Sequence, residues 1–513
     1  MKRFLFLAHR WMGVLLCLFM AMWFVSGVVM MYVGYPKLTP SEHRAGLPPL
    51  AAEGCCVDLA QALAAARRGD AASDASTNSP PDAVRLTTIA GAPRYVFTWA
   101  RGPAVAVDAR TGQRITAVSA ADAIAAVHAY ALEAPLVDLG NIDEDAWTHS
   151  RALDAHRPLL RIQADDLDAT LYYVSSATGE VVRDATRTER AWNWIGAWIH
   201  WLYPFRGGVF DGVWTEIVIY TSLVATVLAL TGMVVGVWRW RFAGRYGNGG
   251  KSPYRGAAMR WHHILGLVFG AICVTWIFSG LLSMNPWKVF DLGSSTPRVR
   301  GAQRVAVEAA DFRVNAAEAL ARLRAADFVP VELEWRRFEG KGLYLATDGA
   351  GRTRVLPALP DAQVLSVIDT DRLIAEGKRA MPGAVLARTT LLTEYDAYYY
   401  ARAEHTMSGS NERRLPMLRL EFADAASTWL HVDPATGAVV SRLDDRGRVR
   451  RWLFAFLHSW DWWPLLAHRP WWDAVLILLS VGGVAVSLTG VVIGWRRLGK
   501  KLAAPSMRAA VRK

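Results

Sequence analysis

The sequence predicts an α-helical membrane protein: four transmembrane helices from a duplicated two-helix unit, carrying two α+β domains outside the bilayer. Three observations predict it. Of 513 residues, 52% are hydrophobic and 23 are tryptophan; four runs without charge, Trp11 to Tyr35, Ile217 to Trp238, Ile264 to Met284 and Ala474 to Trp495, each supply about the 20 residues needed to cross roughly 30 Å of hydrocarbon. The segments 1–10, 239–260 and 496–513 hold 16 of the 58 basic residues and no acidic one, while the rest of the chain has 42 basic against 46 acidic. Finally, the first run matches the third at an offset of 253 residues, and the second matches the fourth at 258.

The elements follow in order. Residues 1–35 are read as a cytoplasmic N-terminus and first span. The run is too long for a signal h-region and lacks an A-x-A cleavage site, which makes it an uncleaved anchor. Residues 36–190 form a first outside domain, 191–240 an interfacial stretch and second span, and 241–260 a cytoplasmic loop. Residues 261–285 are the third span, 286–450 a second outside domain, 451–496 an interfacial stretch and fourth span, and 497–513 a cytoplasmic tail. The Lys and Arg bias places both termini inside. The net charge of +12 is therefore a topology signal and excludes nucleic acid as the partner it would otherwise suggest.

In the first outside domain, helices are expected over Asp58 to Arg68 and Ala120 to Ala131, with strands over Arg94 to Trp99 and Ala104 to Val107. Leu171 to Val182 reads as a hairpin closing on Gly179; Trp429 to Val440 is its partner at offset 258, and Val105 to Ile115 a looser copy. The second domain has a helix over Ala316 to Ala325 and strands over Glu332 to Phe338 and Leu343 to Ala346; residues 70–82 read as a polar loop. Cys17 and Cys273 fall within spans, and vicinal Cys55 and Cys56 are expected not to bridge. No C-x-x-C-H occurs, which excludes covalently attached haem of the c type.

The repeat singles out four histidines. His9 and His262 open spans one and three, in H-x-x-x-G; His200, in W-N-W-I-G-A-W-I-H-W, and His458, in R-W-L-F-A-F-L-H-S-W, precede spans two and four. An ionisable residue at a span asks for a partner. Parallel repeats bring equivalent residues to one depth, so that His9 can face His262 and His200 can face His458. Two neutral imidazoles occupy both axial positions of a b-type haem iron, which favours electron transfer over oxygen chemistry. The alternative is interfacial histidines bonded to headgroups or backbone. His263 pairs with Arg10 in the repeat and is the weaker substitute for His262; His149, His156, His405 and His431 are expected mostly at the surface. Gly13 and Cys17 after His9, and Gly266 with Gly270 after His262, leave a flat groove beside each ligand, whereas Gly232 with Gly236 and Gly490 with Gly494 are read as close helix packing. Tyr395, Tyr398, Tyr399, Tyr400 and Arg402 are a candidate contact surface, with burial in the domain as the alternative; Asp143, Glu144 and Asp145 are read as a solvated loop.

The paired H-x-x-x-G openings, the I-H and L-H stretches, L-T-G near the ends of spans two and four, and the D-P-A-T-G-A-V-V hairpin together resemble the PepSY-associated transmembrane-helix family of bacterial iron-regulated membrane proteins. The resemblance covers nearly the whole chain. It implies PepSY-like periplasmic domains, an inner-membrane location, and the activity of the family's ferric-siderophore reductases: two non-covalent b-type haems, held by His9, His262, His200 and His458, pass electrons to a periplasmic ferric siderophore or other ferric chelate. The cytoplasmic segments are too short for a flavin or nicotinamide domain, so the donor is membrane quinol or a cytoplasmic reductant. The rival reading is a non-enzymatic anchored PepSY module that binds a peptide, protease or envelope partner.

Overall fold

The computed structural model describes residues 2–51, 54–68, 79–206, 208–290, 307–409 and 412–510. Among them are four helices long and apolar enough to cross a membrane, Lys2–Met30, Trp214–Arg239, Ala257–Ser283 and Trp471–Ala510. The protein is thus a multi-pass membrane protein. Each helix outgrows its uncharged run at the basic end, because Lys and Arg are good helix formers and extend the hydrogen-bonded ladder beyond the apolar stretch. The first span packs on the second and fourth, and the third packs on the same two, so the first and third lie diagonally across the bundle. Met20 and Phe24, Ala225 and Leu228, and Cys273 and Ile277 fill its middle as one cluster.

The remainder forms three antiparallel sheets at one end of the bundle. The segment between spans one and two contributes β1 (Ala83–Ile89), β2 (Ala92–Thr98), β3 (Val105–Asp108), β4 (Leu136–Ile142), β5 (Leu159–Ala164), β6 (Leu171–Ser175) and β7 (Val181–Ala185). The segment between spans three and four contributes β8 (Glu332–Phe338), β9 (Lys341–Thr347), β10 (Thr353–Pro357), β11 (Leu386–Leu392), β12 (Met417–Phe422), β13 (Trp429–Val432) and β14 (Val439–Leu443). The meanders β4-β5-β6-β7 and β11-β12-β13-β14 are separate four-stranded sheets, whereas the third sheet runs β10-β9-β8-β1-β2-β3.

That last order joins the two segments. β1 pairs with β8 through Val84 with Trp335, Arg85 with Glu334, Leu86 with Leu333 and Thr87 with Glu332. The core beneath mixes Tyr95 and Phe97 with Leu320, Leu323, Trp335 and Tyr344. The two outside segments therefore share a sheet and a core across the boundary that the sequence reading drew between them. Cys55 and Cys56 also depart from expectation: they are joined as a vicinal disulfide across a cis peptide bond, their Cα atoms 3.1 Å apart. The expected loop over residues 70–82 lies largely outside the described residues.

Helices Leu59–Arg67, Ala120–Val127 and Ala316–Ala325 fall where expected, and the hairpin over 171–182 is β6 and β7. The looser copy at 105–115 forms one strand and a single bridge between Val107 and Arg114.

Candidate functional site

His200 and His458 stand in the α-helical turns that directly follow two short π-helical stretches, Trp194–Trp198 and Arg451–Phe456, ahead of spans two and four. In the first, Gly196 departs from helical geometry and presses on span one; a Cβ there would meet Val29 at 2.8 Å, so only glycine permits the approach. Two residues beyond each histidine the chain reverses through a left-handed residue, Leu202 with φ 54° and Trp460 with φ 48°. A non-glycine residue there is costly, typically about 1–3 kcal/mol, and persists only where the surroundings fix it. These two reversals set the depth at which the imidazoles enter the bundle.

The ring centres of His200 and His458 are 6.3 Å apart. At the far end of the bundle, those of His9 and His262 are also 6.3 Å apart. A metal–imidazole bond of about 2 Å on each side, with roughly 1 Å from nitrogen to ring centre, sets two rings bound to one ion about 6 Å apart.

In all four rings Nδ1 is occupied. His9 Nδ1 donates to Leu228 O at 3.1 Å, and His262 Nδ1 to Val486 O at 3.0 Å with Thr489 Oγ1 at 3.1 Å. His200 Nδ1 meets Ser26 Oγ at 2.8 Å; His458 Nδ1 meets Ser279 Oγ at 3.1 Å and Trp276 O at 3.2 Å. Among the described residues Nε2 of none of the four is hydrogen-bonded. With the proton held on Nδ1, the bare lone pair is on Nε2, which is how a ligating histidine is prepared. Burial pushes the His200 imidazole down to about 3 and lowers His458 as well, so both are neutral.

Glycines seat these rings. A Cβ on Gly27 or Gly280 would touch Cε1 of His200 or His458 at 3.9 and 3.4 Å; one on Gly232 or Gly490 would lie 2.7 or 3.4 Å from Cε1 of His9 or His262. The expectation that Gly232 serves helix packing is corrected: it makes room for the His9 imidazole. Gly490 does serve packing, since a Cβ there would first meet Cys17 Sγ of span one, at 2.5 Å. Gly236 and Gly494 do pack on a neighbouring helix, against Leu267 and Val14. The signal was present as Ser26-Gly27, Ser279-Gly280, Thr231-Gly232 and Thr489-Gly490, hydroxyl–glycine pairs at repeat-matched positions.

Each imidazole pair lines a cavity, of about 180 Å³ beside the sheets and about 210 Å³ at the far end. Trp23, Phe24, Trp276, Phe454 and Arg402 line the first. Gly13, Cys17, Gly266 and Gly270 line the second, with Arg10 and Arg497. At Gly266 a Cβ would meet nothing within 4 Å, as the expected groove requires, whereas at Gly270 it would meet Met233 Sδ at 2.2 Å, so that glycine accommodates a side chain of span two and the groove does not extend over it. His263 is not directed to this use, since its Nδ1 is bound to Ser252 Oγ and its Nε2 to Gly236 O, both at 2.8 Å. It ties the loop between spans two and three to the bundle.

Among the described residues no group of three or more His, Cys, Asp or Glu could hold a metal ion. The tyrosine cluster proves structural. Tyr399 is buried and stacked on His431, Tyr395 donates to Arg413 O, Tyr400 donates to Asp461 Oδ2 at 2.9 Å, and Arg402 pairs with the same carboxylate at 2.5 Å. Only Arg402 of this set reaches the cavity. His431, expected at the surface, is fully buried against Arg419 and Ser441. Asp145 caps a turn and accepts from Tyr173 at 2.7 Å.

A family model described as the PepSY-associated TM region matches residues 6–330. No curated protein matches the chain.

Proposed function

This chain belongs to the PepSY-associated TM region family, and we propose that it is a di-haem transmembrane electron-transfer protein that reduces a periplasmic ferric chelate, a ferric siderophore above all, for iron uptake. The observation that carries the reading is the pair of facing imidazoles at each end of one helical bundle, each ring at the same 6.3 Å spacing and each with Nδ1 occupied. Two protein ligands alone make a poor site for a bare ion; they suit a metal whose other positions a planar macrocycle fills.

The residues fit such a group. Gly13, Cys17 and Gly266 line the same cavity as the far-end histidines, and the open space at Gly266 supports room for a ring system there. Arg10 and Arg497 in the far-end cavity complement the carboxylates that a b-type haem carries, while Arg402 in the other is already paired with Asp461. When bound, a haem in each cavity supplies a one-electron Fe(III)/Fe(II) couple.

The chain's own side chains do the rest. His9 and His262, and His200 and His458, offer Nε2 from opposite sides, while spans two and four hold the far-end rings and spans one and three hold the others. The cluster of Met20, Phe24, Leu228, Cys273 and Ile277 keeps water out between the two sites. Ser26 lies 17 residues beyond His9 on one helix, as Ser279 does beyond His262. At 1.5 Å per residue the sites are thus about 25 Å apart in depth, most of the hydrocarbon thickness.

On this reading the basic segments are cytoplasmic and the sheets periplasmic, in a bacterial inner membrane, with quinol or a cytoplasmic reductant as donor. The chain is also a duplicated two-helix unit with PepSY-like domains, a view supported by two identical four-stranded meanders and by a sheet whose order is mirrored about the β8–β1 seam. Reduced-minus-oxidised spectra of purified protein test the function. A b-type spectrum with two haems per chain is expected, falling to one in His200→Ala or His458→Ala. No haem after expression with ample haem supply overturns the reading and favours an anchored binding module.

A further inference from the structure

Three of the four paired imidazoles have a backbone carbonyl in reach of Nδ1: Leu228 O for His9, Val486 O for His262 and Trp276 O for His458. A carbonyl only accepts, so in those three rings Nδ1 carries the proton whatever else is near. His200 differs. Among the described residues its Nδ1 meets only the hydroxyl of Ser26.

A hydroxyl can give or take a hydrogen bond, so the tautomer of His200 depends on where Ser26 directs its single proton. Ser26 Oγ lies 2.7 Å from Met22 O and 3.2 Å from Trp23 O, one turn back on its own helix. The proton goes to Met22 O. The oxygen lone pair then faces His200, and Nδ1–H donates into it. Ser26 is 1% exposed and so closed off from bulk solvent. Ser279 is likewise buried and gives its proton to Trp276 O at 3.0 Å, yet His458 keeps Trp276 O as a second acceptor if the serine is lost.

We propose that Ser26 is the positioning residue that fixes the tautomer and orientation of His200, and that Ser279, its counterpart 253 residues later, is dispensable for the same task at His458. The proposal rests on the di-haem reading. Its content is an inequality between two serines that the sequence alone makes equivalent, and it assigns the sheet-side site a single point of failure.

The test uses full-length protein in detergent, titrated with haem, with the low-spin ferric EPR signal and midpoint potential of each site recorded. Ser26→Ala lowers haem affinity at the sheet-side site by about 10- to 100-fold, the usual effect of removing a ligand's hydrogen-bond partner, and alters that site's EPR signal. Ser279→Ala leaves affinity and signal close to wild type, and Ser26→Thr, which keeps a hydroxyl, restores both. Full loading of the far-end site in every variant shows that the bundle has folded. Equal effects of the two alanine variants, or an unchanged sheet-side site in Ser26→Ala, overturn the proposal, as does loss of both haems in Ser26→Ala, which would make the serine a determinant of folding. Wild-type protein without haem overturns the di-haem reading itself, a result distinct from all of these.

Discussion

A methyl group on Gly232 would stand 2.7 Å from Cε1 of His9, while one on Gly266, at a matching depth, would meet nothing within 4 Å of the protein. Gly232→Ala must therefore displace the imidazole, an overpacking cost of about 1–3 kcal/mol. We expect it to lower far-end haem occupancy, measured as haem per chain, without affecting the sheet-side site. Gly266→Ala should leave the apo-protein's thermal stability unchanged and weaken haem binding only. A second prediction concerns Asp184 on β7, whose carboxyl is pushed up to about 8 by burial and by the charges of Glu42 and Glu189, and whose Oδ1 has no hydrogen-bond partner among the described residues. Because its folded value lies above the unfolded one, the folded state holds the extra proton between the two. Its contribution to stability is then full below about 4 and is lost as pH rises through about 8, a change on the order of a few kcal/mol. Thermal unfolding at pH 5 and pH 8 should show the loss, and Asp184→Asn should remove most of it. At this scale the four histidines were legible because the repeat offset isolates them. Their partners were not: Leu228, Val486 and Trp276 act through backbone carbonyls, which have no signature in sequence, and the hydroxyl–glycine pairs look the same whether they seat a ring or let two helices touch.

Among the elements, the spans and the helix Ala316–Ala325 were legible from hydropathy and period, and strands such as β8 and β9 from their apolar content. β4 and β11 were not. Both are sheet-edge strands with most residues partly or fully exposed, so neither needs an apolar alternation, and each carries a bulge that breaks its period. The β1–β8 seam was also hidden, since a strand's own sequence does not name its neighbour. Leu86 and Leu333 face each other there, both fully buried. Leu333→Ala should destabilise the sheet region by about 2–5 kcal/mol, the usual cost of such a cavity. The loss would appear as a lower midpoint in thermal unfolding followed by tryptophan fluorescence, given that Trp335 lies in the same core. A shift confined to one of two separate transitions would show instead that the halves unfold independently.

For the whole molecule, the two imidazole pairs are held crosswise. Each span contributes to both sites: spans one and three carry the far-end ligands and the serines of the sheet-side pair, while spans two and four follow the sheet-side ligands and carry the carbonyls that hold the far-end pair. A path across the bilayer then needs both sites. In proteoliposomes holding a ferric chelate and a ferrous-specific dye inside, with reductant added outside, wild-type protein should colour the lumen. His9→Ala should abolish the colour even though its sheet-side site still binds haem and is reduced directly by dithionite. Colour at the wild-type rate in His9→Ala would mean that electrons do not pass through the far-end site.

The seam between β1 and β8 also imposes an order in time. Synthesis delivers β1 roughly 240 residues before β8, which at about 5–20 residues per second is a wait of some 12–50 s. Throughout it, β1 lacks the strand that covers its edge in the finished sheet, already on the far side of the membrane from the ribosome on the proposed topology. The first half of the chain thus waits on the second for the strand that completes its sheet.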